Sequence, residues 1–397
     1  MPDTLARRRQ ELAFHTRLGP ALMASRGYAA PEVRQAYIRA QELCEQLGDT
    51  PWLFSVLWGL WLFSVARQEF QMARELGEQL CKLADHTHNA AFSLEAHRAL
   101  GNSLLFVGAF GASRHHLAQG MALYDAQQHR AHALRYGSDP GSACLSYGGR
   151  VWWFLGYPDR ALQRGYDGLA LAESLSHAFS MAQALGMLAH IYQARRQIQP
   201  TREWAEKTLA YATEQGIPYW EALAAIARGW ALAAQGQVEA GIGEMRQGIE
   251  RYRATGATLA SSWCLGMLAE AYGQGGQAKE GLGCVAEALA VIERTGEGYH
   301  TADIHRLKGE LLLQGGAAAV AQAEACFRRA LAVARRQGAK SHAPRGGTSL
   351  ARLWRAQGRL REARRLLAPL HDWFTEGFET PDLQDARRLL DELSAEV

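Results

Sequence analysis

The sequence predicts an all-α protein, a right-handed superhelical solenoid of helical hairpins with a period of about 40 residues. Three observations predict it. Glycines recur at a fixed interval: Gly156, Gly236, Gly276 and Gly316 form one series, with Arg196 in its open slot. Gly216, Gly256, Gly296 and Gly338 form a second series midway between them. A period of this size is the mark of stacked helical units. Secondly, apolar and small residues recur at helical spacing on both sides of the turn glycines, as in two amphipathic helices packed face to face. Thirdly, no alternating strand pattern, Ser/Gly linker or low-complexity run interrupts the array. With 48% hydrophobic and 21% charged residues the chain is globular in composition, which excludes wholesale disorder. Its 397 residues would otherwise suggest several domains.

The elements follow in order. Hairpins are expected at 4–48, 51–87, 90–126, 140–176, 178–215, 218–255, 257–295, 298–337 and 340–374, so that residues 1–397 form one array of about nine units. A helix over 381–395 caps the open end, because a terminal repeat has no neighbour to cover its apolar face. The rhythm fails once, at 126–141 (AQQHRAHALRYGSDPG), an insertion between the third and fourth units. The seventh unit shows the register most fully. Leu268, Ala269 and Tyr272 precede the turn Gly275–Gly276, and Gly281, Leu282, Val285, Ala288 and Leu289 follow it. The small residues let two backbones approach, and the large ones fill the seam. The same register is read at Gly101, Phe110 and Leu117, at Leu188, Ala189 and Tyr192, and at Leu350, Ala351, Trp354, Ala363 and Leu367. Small, large and small after the turn is the tetratricopeptide pattern, here lengthened by about six residues over the usual unit of roughly 34. HEAT and armadillo arrays share the longer period, but these positions favour the tetratricopeptide arrangement.

Composition narrows the function. A net charge of +3 from 43 basic and 40 acidic residues excludes a generally polybasic nucleic-acid binder. The six cysteines (44, 81, 144, 264, 284 and 326) lie far apart without a CxxC pair, which fits reduced thiols rather than a zinc site or disulfide scaffold. No apolar stretch follows the arginines of Met1 to Gln10, so no signal peptide is expected. The greasiest segment, Pro51 to Val65, is too short to span a bilayer. A cytoplasmic protein without membrane contact is the expectation. His115, His116, His129 and His132 cluster, but adjacent helical residues point about 100° apart, and no metal is expected. G-x-S-x-G, H-E-x-x-H and Cys–His signatures are missing. The nearest approach to a phosphate-binding loop, Gly275 to Lys279, lacks the following Ser or Thr. Neither an enzyme nor a cofactor is therefore expected.

Binding surfaces remain. Helix positions facing the inside of a solenoid are not covered by neighbouring units. Counted from the turns they include Trp58, Arg98, Asn102, Arg150, His190, Trp230 and Trp263, a set of aromatic, Arg and amide side chains suited to peptide recognition. Arg98 and Asn102 take the first two places of a carboxylate clamp, but Tyr147, Gln183 and Met187 stand where that clamp needs Asn, Lys and Arg. The insertion adds Arg130, Arg135 and Tyr136, expected to fold over the groove and touch its ligand. From Gln322 to Arg365 twelve Lys or Arg face two Glu, a stretch that an acidic protein would fit better than nucleic acid, given its few stacking aromatics.

The segments GYAAPEV (27–33), LWGLWLF (57–63), EAHRALG (95–101), YDAQQHR (124–130), YGSDPG (136–141), FLGYPDRALQR (154–164), RGWALAAQG (228–236), HRLKGELLLQ (305–314) and WFTEGFET (373–380) span nearly the whole chain. In them the sequence resembles the C-terminal tetratricopeptide region of bacterial signalling proteins that carry an adenylate/guanylate cyclase domain and an AAA-like (STAND-type) ATPase upstream. The resemblance implies a sensing or docking module, and without the phosphate-binding motif the cyclase and ATPase activities do not carry over. The expected function is a non-catalytic interaction or sensing module of bacterial signalling that binds a protein or peptide segment in its concave groove. The alternative is a small-molecule effector sensor regulating a cyclase or ATPase on another chain. A chemistry housed in the insertion comes third. An open, continuous groove favours the first, and a deep closed pocket lined by polar groups the second.

Overall fold

The two glycine series become two kinds of turn, both built on left-handed backbone. Gly108, Gly156, Gly236, Gly276, Gly316 and Gly358 have φ between 70° and 103° and join the two helices of a hairpin. Gly48, Gly216, Gly256, Gly296 and Gly338 close the second helix of one hairpin before the next begins. A residue in this conformation satisfies the last carbonyls of the helix it ends. Gln68 and Arg196 replace glycine in the first series, and His88 and Ser176 in the second, all at φ between 51° and 59°. Each carries a penalty of about 1–2 kcal/mol for its Cβ. The period thus runs back to Gly48, hidden in the sequence wherever a side chain occupies the turn.

The computed structural model describes residues 4–26, 28–48 and 50–396. Met1, at the start of the basic N-terminal stretch, and Gly27, the first residue of the segment 27–33, lie outside the described residues. Among these residues there are only helices, in pairs. They are α1 (Leu5–Arg26) with α2 (Pro31–Leu47), α3 (Thr50–Ala66) with α4 (Phe70–Thr87), and α5 (Ala90–Phe106) with α6 (Phe110–Leu123). After the short α7 (Ala126–His129) and α8 (His132–Tyr136) come α9 (Pro140–Phe154) with α10 (Pro158–Leu175), α11 (Ala178–Ala194) with α12 (Ile198–Glu214), and α13 (Pro218–Ala234) with α14 (Val238–Ala254). The series ends with α15 (Ser261–Gln274) and α16 (Ala278–Thr295), α17 (Thr301–Gln314) and α18 (Val320–Gln337), α19 (His342–Ala356) and α20 (Leu360–His371), then α21 (Pro381–Ala395) alone. No described helix is long and apolar enough to cross a membrane.

Close helix approach explains the small residues. A Cβ added to Gly241 of α14 would stand 2.4 Å from the Gly229 carbonyl of α13, so only glycine allows that crossing. The segment between α6 and α9 holds eight residues more than the period, as the interval from Gly108 to Gly156 shows. Its two short helices are fixed at both ends: the Asp125 carboxylate accepts from the Gln127 and Gln128 amides at 2.8 and 3.0 Å, and Asp139 accepts from the Ser142 amide at 2.8 Å.

The superhelix is wound shut. The turns of the second, third and fourth hairpins each meet the loop that enters the fifth hairpin further on. The Thr258 amide donates to the Ala66 carbonyl (2.9 Å), the Gly298 amide to Phe106 (2.8 Å) and the Ser341 amide to Phe154 (3.3 Å). Gln68 donates to Glu297 at 2.5 Å across 229 residues, and Arg195 pairs with Glu379 at 3.3 Å. The first helices of the hairpins therefore turn inward onto one another. Trp58, Phe106, Phe154, Trp220, Trp230 and Tyr299 are all fully buried there.

Candidate ligand site in the closed interior

Because the first helices repeat in register, one inward position recurs along the axis: Asn102, Arg150, His190, Trp230, Glu270 and Glu310, separated by 48 residues across the insertion and by 40 elsewhere. The structure brings this row inside but treats its ends differently. The expectation of an open, continuous groove is corrected, since contacts one superhelical turn apart close the concave face.

At the C-terminal end the charged groups pair with one another, although Arg306 Nη2, Thr348 Oγ1 and both ring nitrogens of His342 have no partner. Glu270 accepts from the Trp230 indole at 2.8 Å and pairs with Arg196. Arg306 pairs with Asp303 at 2.6 Å and Glu310 at 2.7 Å, Glu310 accepts from the Ser349 hydroxyl at 2.8 Å, and Arg345 pairs with Asp382 at 2.6 Å. Burial pushes the Glu270 carboxyl up, but the Arg196 charge beside it more than offsets this and holds it low. Trp230 is thus a fully buried member of a closed ion-pair network, not a groove anchor.

At the N-terminal end Arg98 is structural. It pairs with Glu95 at 3.3 Å, donates to the Ser138 and Tyr136 carbonyls at 2.7 and 3.2 Å, and lies 4.5 Å over the Trp58 ring. His132 holds the second oxygen of Glu95 at 2.8 Å. Arg98 and Trp58 therefore clamp the insertion, and Arg98, with Tyr136, also lines the cavity between the two ends, whereas Trp58 is packed away from it. Tyr136 turns inward, 5.2 Å from Trp58. Arg130 and Arg135 are exposed, Arg135 donating to Ser55 at 2.8 Å. A single helical turn that buries Ala133 and Tyr136 must send residues 134 and 135 outward, so these two arginines do not reach the interior. The clustered histidines also part: His116 meets His97 at 2.9 Å, while His132 serves Glu95. No group of three or more metal-ligating side chains exists among the described residues.

Between these ends lies a cavity of about 70 Å³ whose wall includes Trp61, Asn102, Phe106, Tyr147, Gln183 and Trp220. That is room for a few waters. In its wall Asn102 Oδ1 and Gln183 Oε1 lack partners, and beyond the wall so do Ser146 Oγ and both ring nitrogens of His190. Each such orphan costs about 1–3 kcal/mol. Arg150 stands among them, 6% exposed, 5.8 Å over Phe106 and 5.1 Å over Tyr299. His190 packs against Trp263 at 3.9 Å between ring centres, and burial together with the Arg150 charge holds its pKa well below the usual range, so the ring is neutral. Trp263 donates to Gln193 at 3.2 Å and forms the wall behind His190. Of the sequence-derived candidates, Asn102, His190 and Trp58 keep unpaired polar atoms in the interior, and Arg150 a charge without an ion-pair partner.

Sequence reasoning did not assign Gln183 or Tyr299 to the site. Gln183 lies seven residues before His190 on the same face and was within reach of the register; Tyr299 lies in a loop, and only the closure brings it beside Arg150. The basic stretch is partly neutralised: Arg328, Arg345, Arg352, Arg355 and Arg359 are in ion pairs. Arg329, Arg335, Arg336, Lys340, Arg361, Arg364 and Arg365 are exposed.

No family model matches the sequence, and no curated protein matches it. Among solved structures, the chain is similar to a Rap protein complexed with the competence and sporulation factor, at 11% identity and a TM-score of 0.57 over 98% of each chain. It is similar to the Rap conjugation gene regulator of plasmid pLS20 in complex with the Phr* peptide, at 10% identity and a TM-score of 0.51 over 96% of each. A STAND protein with a tetratricopeptide repeat sensor from Pyrococcus horikoshii aligns with 98% of this chain and 54% of its own, at 13% identity and a TM-score of 0.48. At such identities the likeness shows the fold, an all-α solenoid of the tetratricopeptide type.

Proposed function

We propose that this protein is a non-catalytic sensing module that encloses its ligand within the closed superhelix. The observation that carries the reading is a group of inward polar side chains without partners in the closed interior, Asn102, Gln183 and His190, with the buried Arg150 that makes no ion pair. A fold under no functional demand would fill such positions with apolar side chains or pair them. The buried cavity, mainly apolar with a few polar groups in its wall, favours an enclosed effector over a long segment lying in an open groove. Two solved structures of the same fold were determined with a bound factor or peptide, which supports a small enclosed ligand. The sequence resemblance supports a place in bacterial signalling, with the module's state read by a cyclase or ATPase, and the exposed cations of α18 and α20 offer that partner's acidic groups a docking face.

Hydrogen exchange on the full chain, with and without the low-molecular-weight fraction of a bacterial lysate, tests the reading. Slowed exchange is expected along α5, α9 and α11 and at the Gly298 and Tyr299 amides that close on Phe106. Protection confined to the outer helices would make the protein an external docking scaffold and overturn the proposal.

A further inference from the structure

Among the described residues five arginines are at least nine-tenths buried: Arg98, Arg150, Arg195, Arg306 and Arg345. Four meet a carboxylate. Arg98 has Glu95, Arg195 has Asp159 and Glu379, Arg306 has Asp303 and Glu310, and Arg345 has Asp382. Arg150 has none among the described residues. A guanidinium cannot shed its proton to escape burial, as a lysine or histidine does, and an ion taken out of water without a counter-charge is strongly disfavoured. Glu297 is the nearby acid among the described residues, but it makes no ion pair with Arg150. One oxygen accepts from Gln68 at 2.5 Å and from the Ser262 amide at 3.2 Å, and the other has no hydrogen-bond partner. Burial raises the carboxyl's pKa to about 7 against the pull of the Arg150 charge. The aromatic rings of Phe106 and Tyr299 supply cation–π contact but no negative charge.

Resting on the enclosed-ligand reading, we infer that Arg150 is the anchor of a carboxylate-binding site. The ligand's carboxylate takes the place of the missing counter-ion, and its apolar remainder lies in the adjoining cavity. Geometry supports both halves. Phe106, which lies 5.8 Å under the guanidinium, is also a wall of that cavity, while Arg150 itself does not line it, so the Phe106 ring stands between the charged and apolar parts. Trp61, Leu62, Val65, Phe179 and Trp220 make the wall mainly apolar, a surface for a hydrocarbon or aromatic body, and the ion-paired Arg98 also lines it. Asn102 and Gln183 offer unpaired amide oxygens to a ligand N–H or hydroxyl, and the neutral His190 ring can donate one hydrogen bond to the carboxylate. Arg matches a carboxylate with two parallel N–H donors, so the site selects a planar anion over a halide. The same chemistry belongs to a free carboxylic acid and to the C-terminus of a short peptide. In either case the present cavity must widen, by parting of the seam at Gln68–Glu297 and Phe106–Gly298.

The test uses the full chain and four probes: phenylbutanoate, its amide, a set of apolar tetrapeptides with free C-termini, and the same set amidated. Dissociation constants come from the concentration dependence of the melting temperature, which rises as ligand binds the folded state alone. At least one carboxylate probe is expected to bind, its amide to bind no better than one tenth as well, and Arg150→Met to weaken the carboxylate roughly 30-fold or more. Saturation by phenylbutanoate would identify a free acid, and by the tetrapeptides alone a chain end. Arg150→Lys keeps the charge without the planar fork, so intermediate weakening is expected in a protein whose fold is unaltered. Equal binding of acid and amide, binding indifferent to Arg150→Met, or no binding by any probe would overturn the site. Should an amide probe protect α5, α9 and α11 from exchange while ignoring Arg150→Met, the carboxylate site fails but enclosure stands. Should protection fall only on the outer helices, both fail.

Discussion

Glu297→Gln tests the closure that makes an interior at all. Glu297 lies in the loop between α16 and α17, fully buried, where it accepts from Gln68 of the α3–α4 turn and from the Ser262 amide of α15. Burial raises its pKa from the ordinary 4.5 to about 7, against the hydrogen bonds from Ser262 and the Arg150 charge, which pull it down. The folded state thus holds this proton more tightly than the unfolded chain. Its stabilising contribution is complete below pH 4.5 and is lost as pH rises through 7; the rise corresponds to about 3 kcal/mol. With an unfolding entropy of roughly 2.1 cal/mol/K per residue, the whole chain melts with about 0.8 kcal/mol/K, so the contribution is worth about 4 °C of melting temperature. His190, His300 and His342 run the other way. Burial holds their pKa values below 6.5, His342 at about 3, so their contribution is lost as pH falls below 6.5. The difference between wild type and Glu297→Gln isolates the carboxyl. Calorimetric melting of both proteins from pH 4.5 to 8.5 should show the variant gaining about 4 °C on wild type across that range, with slower exchange at Gly298 and Tyr299 at the alkaline end. Parallel curves would mean that Glu297 is ionised and solvated in the folded state, and that the seam is not closed as described.

Arg306→Met should destabilise by about 3–5 kcal/mol, because it strands Asp303 and Glu310; Arg150→Met, which strands no carboxylate, should be neutral or stabilising in urea denaturation without ligand. Equal losses in both would show that Arg150 has a counter-charge. Tyr136→Ala should lower stability by about 3–5 kcal/mol through the space it leaves beside Phe54 and Trp58, whereas Arg130→Ala on the exposed side of the insertion should stay within about 0.5 kcal/mol. The reverse order in thermal melts would invert the placement of α7 and α8.

The fold class was legible in the sequence because its determinants are local. A left-handed turn, a small residue at a helix crossing and an amphipathic period are each settled within one hairpin, as at Gly275–Gly276 and Gly281, and stacking repeats the same decision. Register also predicted which positions face inward, including Asn102, Arg150 and His190. What register cannot carry is pairing across a superhelical turn. Whether an inward arginine is an anchor or a strut depends on partners such as Ser138 for Arg98, 40 residues away, and Asp382 for Arg345, 37 away. Gln68 and Glu297 are 229 residues apart, and neither belongs to the repeating pattern. The small rotation between successive hairpins, summed over five of them, sets whether the concave face is a groove or a closed interior. That sum is a property of all the contacts together, and only the tertiary structure decided it.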